Sequence, residues 1–455
     1  KINETNKLKF AGYYFNDGAD TPLNAVGTDE EGKFVYNGQQ FILSTQLHTT
    51  FSKQLFNQLT VAYHGSDGRY RLTNEKKLDA KWNQASIVIR NDAVWMLNQD
   101  HEVSVGGIYY SMQNDNDVTW VQIPDPEEKG SITRNVTSRN QHPVTIASLY
   151  LQDQWSFLDD HSVTVGLRLE SATMGDYDSN IDFQPRISYD YQFNPHTKFK
   201  LYYGEYGQQL GEMNRTLEQN GDLKSQLADL DMEQAQHYGV GMEHYISDQW
   251  RVTMEGFYKE YDHLSIDTGT FPTQTYENEG DGNSKGIELM LHKLAHDDYT
   301  GWLTYTYSRT QRKDQKGWYI PEYDMTHMIN IYADILVNEG DHLIATLKYR
   351  TGRPFTPILS SKKNPTTGAD EYTLGERYSE RLSDYFRLDI WYEWKGVSFV
   401  LPIPFLPISK EKEAGIFPKW TFKGKTRLGL YNVLNTRSQT GYGGDETEQK
   451  ETYVY

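Results

Sequence analysis

The sequence predicts an all-β protein, an antiparallel β-barrel that crosses a membrane with its strands. Three features of the 455 residues lead to this fold class. Apolar and polar residues alternate along many segments, the connections between these segments are alternately short and long, and tyrosine and tryptophan are abundant. Together these features are typical of a barrel whose outer surface meets lipid and whose interior holds water.

The alternation is clear between Ser284 and Ser308, where two segments flank a short polar connection. Apolar side chains recur at every second position, which is the period of a β-strand. The connection is short enough for the two strands to be antiparallel neighbours. The residues expected to face lipid are Ile287, Leu289, Leu291, Leu303 and Tyr305. Those expected to face a hydrated lumen are Glu288, His292, Thr304 and Thr306.

The same period returns in about 17 segments, each long enough for the roughly 9 to 11 residues of a tilted membrane-spanning strand. Further examples begin at Leu8, Val163, Phe199, Trp250 and Leu388. No run of about 18 apolar residues occurs, so a transmembrane helix is not expected. The low mean hydropathy does not favour a soluble protein, because lipid-facing residues in a barrel alternate with lumen-facing ones.

Aromatic residues make up 14% of the chain, with 34 tyrosines. Tryptophan and tyrosine favour membrane interfaces, so this content favours a barrel. Six tryptophans lie beside short connections: Trp95, Trp155, Trp250, Trp302, Trp394 and Trp420. They predict an aromatic girdle at one rim, whereas tryptophan in the core of a soluble sandwich would show no preference for one strand end.

Connections of two kinds alternate along the chain. The short ones include 193–196 and 338–341, and the long polar ones run approximately over 15–39, 112–143, 206–233, 263–284, 309–326 and 356–383. Outer-membrane barrels have short turns on the periplasmic side and long loops outside. A soluble propeller would repeat near every 40 residues, and the sequence has no such repeat.

Charge and cysteine content exclude several classes of function. The net charge of −18 argues against nucleic acid, which requires a basic surface. The chain contains no cysteine, which removes disulfides and thiolate metal sites. No signal peptide is recognisable. We expect one composite domain, although the length would suit about three soluble ones.

Several stretches, taken together, resemble the barrel of TonB-dependent outer-membrane receptors. They are YLQDQWSF followed by VTVGLRLE (150–170), EQAQHYGVGMEH (233–244), SKGIELMLH (284–292), YDMTHMINIY (323–332), YRTGRPFTP (349–357), RLSDYFRLDI (381–390) and LGLYNVLN (428–435). The resemblance covers about two thirds of the chain in the order of the family's strands. It implies a 22-stranded barrel closed by an N-terminal plug, located in the outer membrane of a Gram-negative bacterium and energised by the TonB complex.

Relative to that family, residues 1–455 are expected to form a partial barrel with about 17 to 18 of the strands. The plug, the TonB box and the first strands would then precede this chain, and the last strand would be incomplete. The resemblance implies a receptor that imports a scarce ligand and is not an enzyme. The alternative is a receptor-like barrel that serves as a structural or docking subunit of an envelope complex, with a passive porin or a barrel enzyme as further possibilities.

Aromatic residues in the long loops are the candidate ligand contacts, because exposed stacking surfaces suit ligand capture. They are Trp318, Tyr319, Tyr323, Phe355 and Tyr372. Packing between loops, or a place in the outer girdle, is the alternative explanation.

Two polar clusters are candidates for chemical sites. The stretch DYDSNID sets Asp176, Asp178, Asn180 and Asp182 at every second position, so their oxygens could converge on one calcium ion. The EF-hand pattern fails because Ile181 stands where glycine is required, and a solvated acidic loop is the alternative. The cluster 159–161, Asp-Asp-His, lies in a short turn away from the long loops, which argues against catalysis. No resident cofactor is expected.

The segment from Gly396 to Lys419 is unusual because it is long on the side where other connections are short. Its prolines withhold hydrogen-bond donors from a strand ladder. Its apolar residues, which include Phe399, Leu401, Ile403, Phe405 and Leu406, are too apolar for a free loop, and as an exposed patch they would suit the docking of a partner protein. Packing against the rim or the lipid is the alternative.

Overall fold

The structure, a computed structural model, describes residues 5–24, 31–72, 78–122, 134–174, 177–178, 181–208, 231–267, 276–294, 298–363, 370–395, 399–402, 419–422, 425–434, 438–444 and 449–454. The regular elements in these ranges are all β-strands. Within the same ranges no helix is long and apolar enough to cross a membrane.

The strands of the main sheet are long. The first are β1 (Asn6–Asn24), β2 (Glu31–Thr50), β3 (Leu55–Leu72), β4 (Leu78–Met96), β5 (His101–Gln122), β6 (Arg134–Leu158), β7 (His161–Met174), β8 (Tyr177–Asp178) and β9 (Asp182–Asn194). They are followed by β10 (Thr197–Gln208), β11 (Glu233–Ser247), β12 (Trp250–Asp267), β13 (Tyr276–Lys293), β14 (Tyr299–Asp314), β15 (Gly317–Tyr319), β16 (His327–Asn338) and β17 (Asp341–Arg350).

Shorter strands follow, only two of which join the main sheet. They are β18 (Pro354–Phe355), β19 (Ile358–Lys363), β20 (Asp370–Leu374), β21 (Glu380–Arg381), β22 (Tyr385–Lys395), β23 (Phe399–Pro402), β24 (Lys419–Phe422), β25 (Lys425–Leu430), β26 (Ser438–Gly444) and β27 (Gln449–Val454). β22 and β25 belong to the main sheet, and the others form separate two-stranded pairs.

The main sheet has nineteen strands in the described part of the chain. The short β8 and β15 lie beside β7 and β14. The other seventeen form one antiparallel series from β1 to β25, in which each strand pairs with the next one along the chain. This arrangement agrees with the predicted strand number and confirms the predicted all-β fold class.

Register divides the wall into two faces, because directly paired residues and every second residue along a strand share a face. In β13 and β14, Ile287 pairs with Tyr307 and Leu289 with Tyr305, whereas Glu288 pairs with Thr306. We call the first side the apolar face and the second the polar face. On the apolar face Leu149, Leu201, Val240 and Ile287 are 66%, 51%, 53% and 52% exposed. Exposed aliphatic side chains at mid-strand identify it as the lipid-facing surface.

The strands extend further toward the long connections than the sequence predicted. The region 15–39 was expected to be a loop, yet β1 continues to Asn24 and β2 begins at Glu31. In this extension both sides of the wall carry polar residues such as Asn16 and Gln40. A strand that projects beyond the lipid no longer alternates between apolar and polar residues. The strand ends predicted from this alternation were therefore placed too early.

An aromatic row follows the wall at the short-turn end. Its neighbouring rings, with centroids 4.5 to 6.2 Å apart, are His101, Trp155, Phe157, His161, Tyr191, Phe193 and Phe199. Trp95, at the same end, is on the apolar face, as the predicted girdle requires. The prediction that Trp302 belongs to the girdle is wrong. Trp302 lies on the polar face and stacks on Tyr332, with the ring centroids 5.9 Å apart. Leu303 takes the lipid-facing position, and alternation then turns Trp302 inward.

Candidate functional site

The hairpin of β14 and β15 projects from the wall at the long-connection end. The Lys316 amide donates to Asp314 Oδ1 at 2.8 Å, and Gly317 has a φ of 109°, so the turn needs glycine there. The register pairs Lys313 with Trp318 and Arg312 with Tyr319.

This register separates two of the predicted ligand contacts. Tyr319 lies with Arg312 on the polar face. Trp318, which is 54% exposed, lies on the opposite side with Lys313. Because Lys313 pairs with Asp281 on the apolar face, Trp318 points away from the lumen. The hairpin therefore brings only Tyr319 of the two to a lumen-facing surface.

A stack of one cation and two rings is built around Tyr319. Arg377 Cζ lies 3.6 Å from the Tyr319 ring centroid and 5.2 Å from that of Tyr378. The two rings are 5.9 Å apart. Arg377 also forms an ion pair with Asp314. Burial lowers the pKa of Arg377, but the hydrogen bond to Asp314 and the charge interactions with Tyr319, Asp314 and Tyr378 together outweigh it. The pKa is therefore raised, and the stack keeps its positive charge.

Tyr378, whose ring belongs to the stack, has a strained backbone conformation. Its φ is 54°, in the left-handed region that large side chains avoid. The Tyr378 amide donates to Thr356 Oγ1 at 3.0 Å, which holds this conformation. Strain of this kind is retained where the surroundings impose it, and it often marks a functional surface.

A buried ion pair ties together the two loops that carry these residues. Asp324 is 2% exposed, and its Oδ2 accepts from Arg381 Nη2 at 2.5 Å. Arg381 Nη1 also donates to the Gly352 carbonyl at 2.9 Å. Asp324 Oδ1 accepts from the Thr310 amide at 2.9 Å, which fixes the pair to β14. The described parts of these loops, 315–326, 351–363 and 370–384, are thereby held against each other and against the wall.

Three other predicted aromatic contacts occupy the same loop region. Tyr323 is half exposed, and Arg312 Cζ lies 5.5 Å from its ring centroid. Burial raises the pKa of the Tyr323 hydroxyl although Arg312 opposes this, so the phenol is neutral and can donate a hydrogen bond. Phe355 is half buried in β18, beside β21. The backbone of Tyr372 belongs to β20, and its side chain lies outside the described residues.

A second group lies on the polar face of β9 to β12. Arg186 Cζ is 4.4 Å from the Tyr206 ring centroid, and that ring is 4.4 Å from the ring of His237. Lys259 pairs directly with His237 across β11 and β12. None of these residues was predicted as a site residue from the sequence. A signal was present for Tyr206, His237 and Lys259, because each occupies a polar position in an alternating strand shortly before or after a long connection. Arg186 adjoins none of the long connections and carried no such signal.

Register joins the second group to the hairpin. Arg186 pairs with Gly204, which pairs with His237. One row further along, Tyr261 pairs with Gly282, which pairs with Arg312. The basic and aromatic side chains therefore form one continuous surface, which we call the basic arc. It consists of Arg186, Tyr206, His237, Lys259, Tyr261, Arg312, Tyr319, Tyr323 and Arg377.

Charge in the basic arc is unbalanced. Arg377 is neutralised by Asp314. Among the described residues Arg186, Lys259 and Arg312 have aromatic or amide neighbours and no carboxylate partner. In a chain with net charge −18, three unpaired cations on one lumen-facing surface create a local site for an anion. The aromatic rings between them can stack on a planar ligand group.

The other predicted sites fall partly outside the described residues. Asp176 and Asn180 lie outside them, and Asp178 is described only as backbone in β8. Asp182 accepts from Gln184 Nε2 at 2.9 Å. Among the residues whose side chains are described, no group of three or more His, Asp or Glu side chains is arranged to hold a metal ion. The calcium site therefore stays a prediction.

The predicted docking segment is described only at its two ends. Phe399 and Leu401 belong to β23, which pairs with β24. Ile403, Phe405 and Leu406 lie outside the described residues. Partner docking by this segment stays a prediction.

The wall of long antiparallel strands with one lipid-facing side defines a class of protein, the outer-membrane β-barrels. The family model described as TonB dependent receptor-like, beta-barrel matches residues 2–399. The chain belongs to this family, which consists of receptors and transporters rather than enzymes and places it in the outer membrane of a Gram-negative bacterium. A comparison with curated proteins finds no match.

Solved structures with the same fold are similar to this chain at low sequence identity. The ferric-catecholate import receptor Fiu from K12 E. coli has a TM-score of 0.66 at 12% identity, covering 99% of this chain and 71% of that one. The ferric citrate transporter FecA has a TM-score of 0.68 at 12% identity, covering 99% and 66%. FpvA of P. aeruginosa, solved with a pyoverdine and iron, has a TM-score of 0.68 at 12% identity, covering 99% and 62%. The chain thus spans about two thirds of the length of these relatives.

Proposed function

We propose that this chain forms the wall of an active importer that captures an anionic metal chelate on the basic arc. Transport would be energised by the TonB complex. The observation that carries the proposal is the set of three cations, Arg186, Lys259 and Arg312, that lack a carboxylate partner in the described structure. They attract an anion, and the rings beside them suit a ligand with planar groups.

The ligands of two proteins with similar structures support a metal chelate as the ligand of this chain. Fiu is described as a ferric-catecholate import receptor and FecA as a ferric citrate transporter. A ferric complex of several catecholates or citrates is negatively charged, which matches the sign of the basic arc. We therefore propose a ferric chelate as the ligand class. Between the two, the stacking positions at Tyr206 and Tyr319 favour an aromatic, catecholate-type chelate over citrate.

The proposal is tested by binding with a matched pair of variants. Arg312→Gln removes a cation of the basic arc, whereas Arg309→Gln removes the same charge three residues away on the apolar face. We expect Arg312→Gln to weaken binding of iron(III) tris(2,3-dihydroxybenzoate) about tenfold, measured by tryptophan fluorescence quenching. We expect Arg309→Gln to bind like the unchanged protein. Equal affinity of the three proteins for this chelate, or no binding of the chelate to any of them, would contradict the proposal.

A further inference from the structure

Three aromatic rings lie together on β2, β3 and β4, near the long-connection end of the wall. The ring centroids are 5.1 Å apart for Tyr36 and Tyr70, 4.6 Å for Tyr70 and Trp82, and 5.8 Å for Tyr36 and Trp82. The ring planes differ by 4° to 30°. Nearly parallel rings with three similar separations lie side by side, and we call this surface the aromatic platform. Tyr70 is 39% exposed, so a ligand can reach it.

The aromatic platform faces the lumen. The lipid-facing residues of these strands include Leu43, Tyr63 and Ile87, which are exposed and occupy odd-numbered positions. The three platform residues occupy even-numbered positions, and the register between the strands has no shift. Because side chains alternate along a strand, the platform is on the polar face. Strands β5, β6 and β7 separate it from the basic arc, which begins at β9.

Two glycines allow the rings to lie flat on the wall. A Cβ added at Gly68 would clash with the Trp82 ring, and one added at Gly38 would clash with the Tyr36 hydroxyl group. Both rings therefore lie directly on the backbone of the strands. Trp82 Nε1 also donates to Ser66 Oγ at 3.3 Å, which fixes the orientation of the indole. The platform is thus a supported, flat surface.

A row of uncharged polar side chains borders the platform on its membrane side, and we call it the amide row. Gln40 pairs with Ser66, Ser66 with Gln84, and Gln84 with Asn114, so the four share the polar face. Amide side chains both donate and accept hydrogen bonds, and a serine hydroxyl that accepts from an indole can still donate. The amide row therefore suits a ligand with several hydroxyl groups.

The platform and the amide row carry little charge. Among the described side chains that β1 to β4 contribute to these rows, Asp17 is the charged one, and it accepts from the Gly18 amide at 2.8 Å. The basic arc, in contrast, presents three cations. The two surfaces therefore select different ligands, and an uncharged ligand suits the platform.

We propose that the aromatic platform and the amide row bind a neutral oligosaccharide of pyranose sugars. The apolar C–H face of a sugar ring lies on Tyr70 and Trp82, and its edge hydroxyl groups exchange hydrogen bonds with Gln40, Ser66 and Gln84. A flat aromatic ligand would also stack, but it would leave the amide row without partners. The site does not rest on chelate binding, because it uses other strands and a ligand of different charge.

The test is calorimetric titration of the protein in lauryldimethylamine oxide, a detergent without a sugar headgroup. The probes are cellohexaose, mannohexaose, xylohexaose and maltohexaose. Trp82→Ala and Tyr70→Ala each remove a ring of the platform, whereas Trp82→Phe retains one. The control is Trp318→Ala, which removes an exposed tryptophan at the same end of the wall but on its opposite side. Folding of each variant is checked by the gel shift on heating.

We expect at least one of the four sugars to bind the unchanged protein and Trp318→Ala equally. Trp82→Ala and Tyr70→Ala should bind it about tenfold more weakly, and Trp82→Phe should stay within about threefold of the unchanged protein. No binding of any of the four sugars, unchanged affinity in both alanine variants of the platform, or an equal loss in Trp318→Ala would overturn the proposal.

A competition experiment separates this site from the basic arc. Iron(III) tris(2,3-dihydroxybenzoate) should leave the bound sugar in place, and its own affinity should be the same in Trp82→Ala as in the unchanged protein. Displacement of the sugar by the chelate would assign the aromatic platform to the chelate site and would overturn the proposal. If the chelate binds nowhere while the sugar binds as described, the proposed function fails and the sugar site stands.

Discussion

Trp318 and Tyr319 are adjacent in the chain and similar in type, yet they face opposite sides of the wall. The sequence marks both as exposed loop aromatics. Their separation depends on a turn of two residues, Gln315 and Lys316, that closes on Gly317 and places 317–319 in strand β15. A strand of three residues leaves no alternation to read, so this detail could not be predicted. Asp324 is the buried centre of the loop contacts.

The first residue-scale prediction separates the two neighbours. Tyr319→Ala removes the ring beneath Arg377, so capture of a ferric chelate should weaken about tenfold because stacking and cation–π contacts are both lost. Trp318→Ala should leave capture unchanged. The measurement is uptake of radioactive iron from limiting chelate in cells that produce each variant. Loss of uptake in Trp318→Ala with none in Tyr319→Ala would reverse the assignment of faces.

The second residue-scale prediction concerns the buried pair. Asp324→Ala leaves Arg381 without its carboxylate and should destabilise the loop region by about 2 to 3 kcal/mol. Hydrogen exchange should rise in 315–326, 351–363 and 370–384. The control is Asp281→Ala, which breaks the exposed pair with Lys313 and should cost less than about 1 kcal/mol. Equal protection of the loops in both variants would mean that the buried pair does not hold them.

At the scale of the element, β13 gives the clearest agreement between sequence and structure. Its alternation was read without knowledge of its partners, and the register with β12 and β14 puts Leu289 beside Met254 and Tyr305 on the apolar face. A long strand with one lipid-covered face specifies its own orientation, because a shift by one residue would turn every apolar side chain inward. The ends of the strands were less predictable, since polar residues occupy both faces beyond the lipid.

This orientation predicts an asymmetry between neighbouring positions of β13. Leu289→Arg places a charge in the lipid and should destabilise the folded protein by about 2 to 4 kcal/mol. Glu288→Arg places the same side chain on the hydrated face and should cost much less. Refolding into lipid vesicles over a denaturant series compares the two variants. Similar losses of stability would show that the faces are wrongly assigned.

At the scale of the whole molecule, the seventeen-strand series could be predicted because each strand carries its own alternating pattern. The basic arc could not, because it arises where β9 to β15 bring residues from different parts of the chain into register. Arg186 and Arg312 are 126 positions apart in sequence, and neither lies in a recognisable motif. The alternating pattern of each strand thus predicts the wall. The basic arc can be recognised only when the register of the assembled sheet is known.

The central claim is that an anionic ferric chelate binds on the basic arc. The most direct measurement is anomalous diffraction at the iron absorption edge from crystals of the protein soaked with iron(III) tris(2,3-dihydroxybenzoate). The account predicts an iron peak on the polar face, between Arg186 and Arg312 and beside Tyr319. An iron peak elsewhere on the protein, or none at a saturating concentration of the chelate, would contradict it.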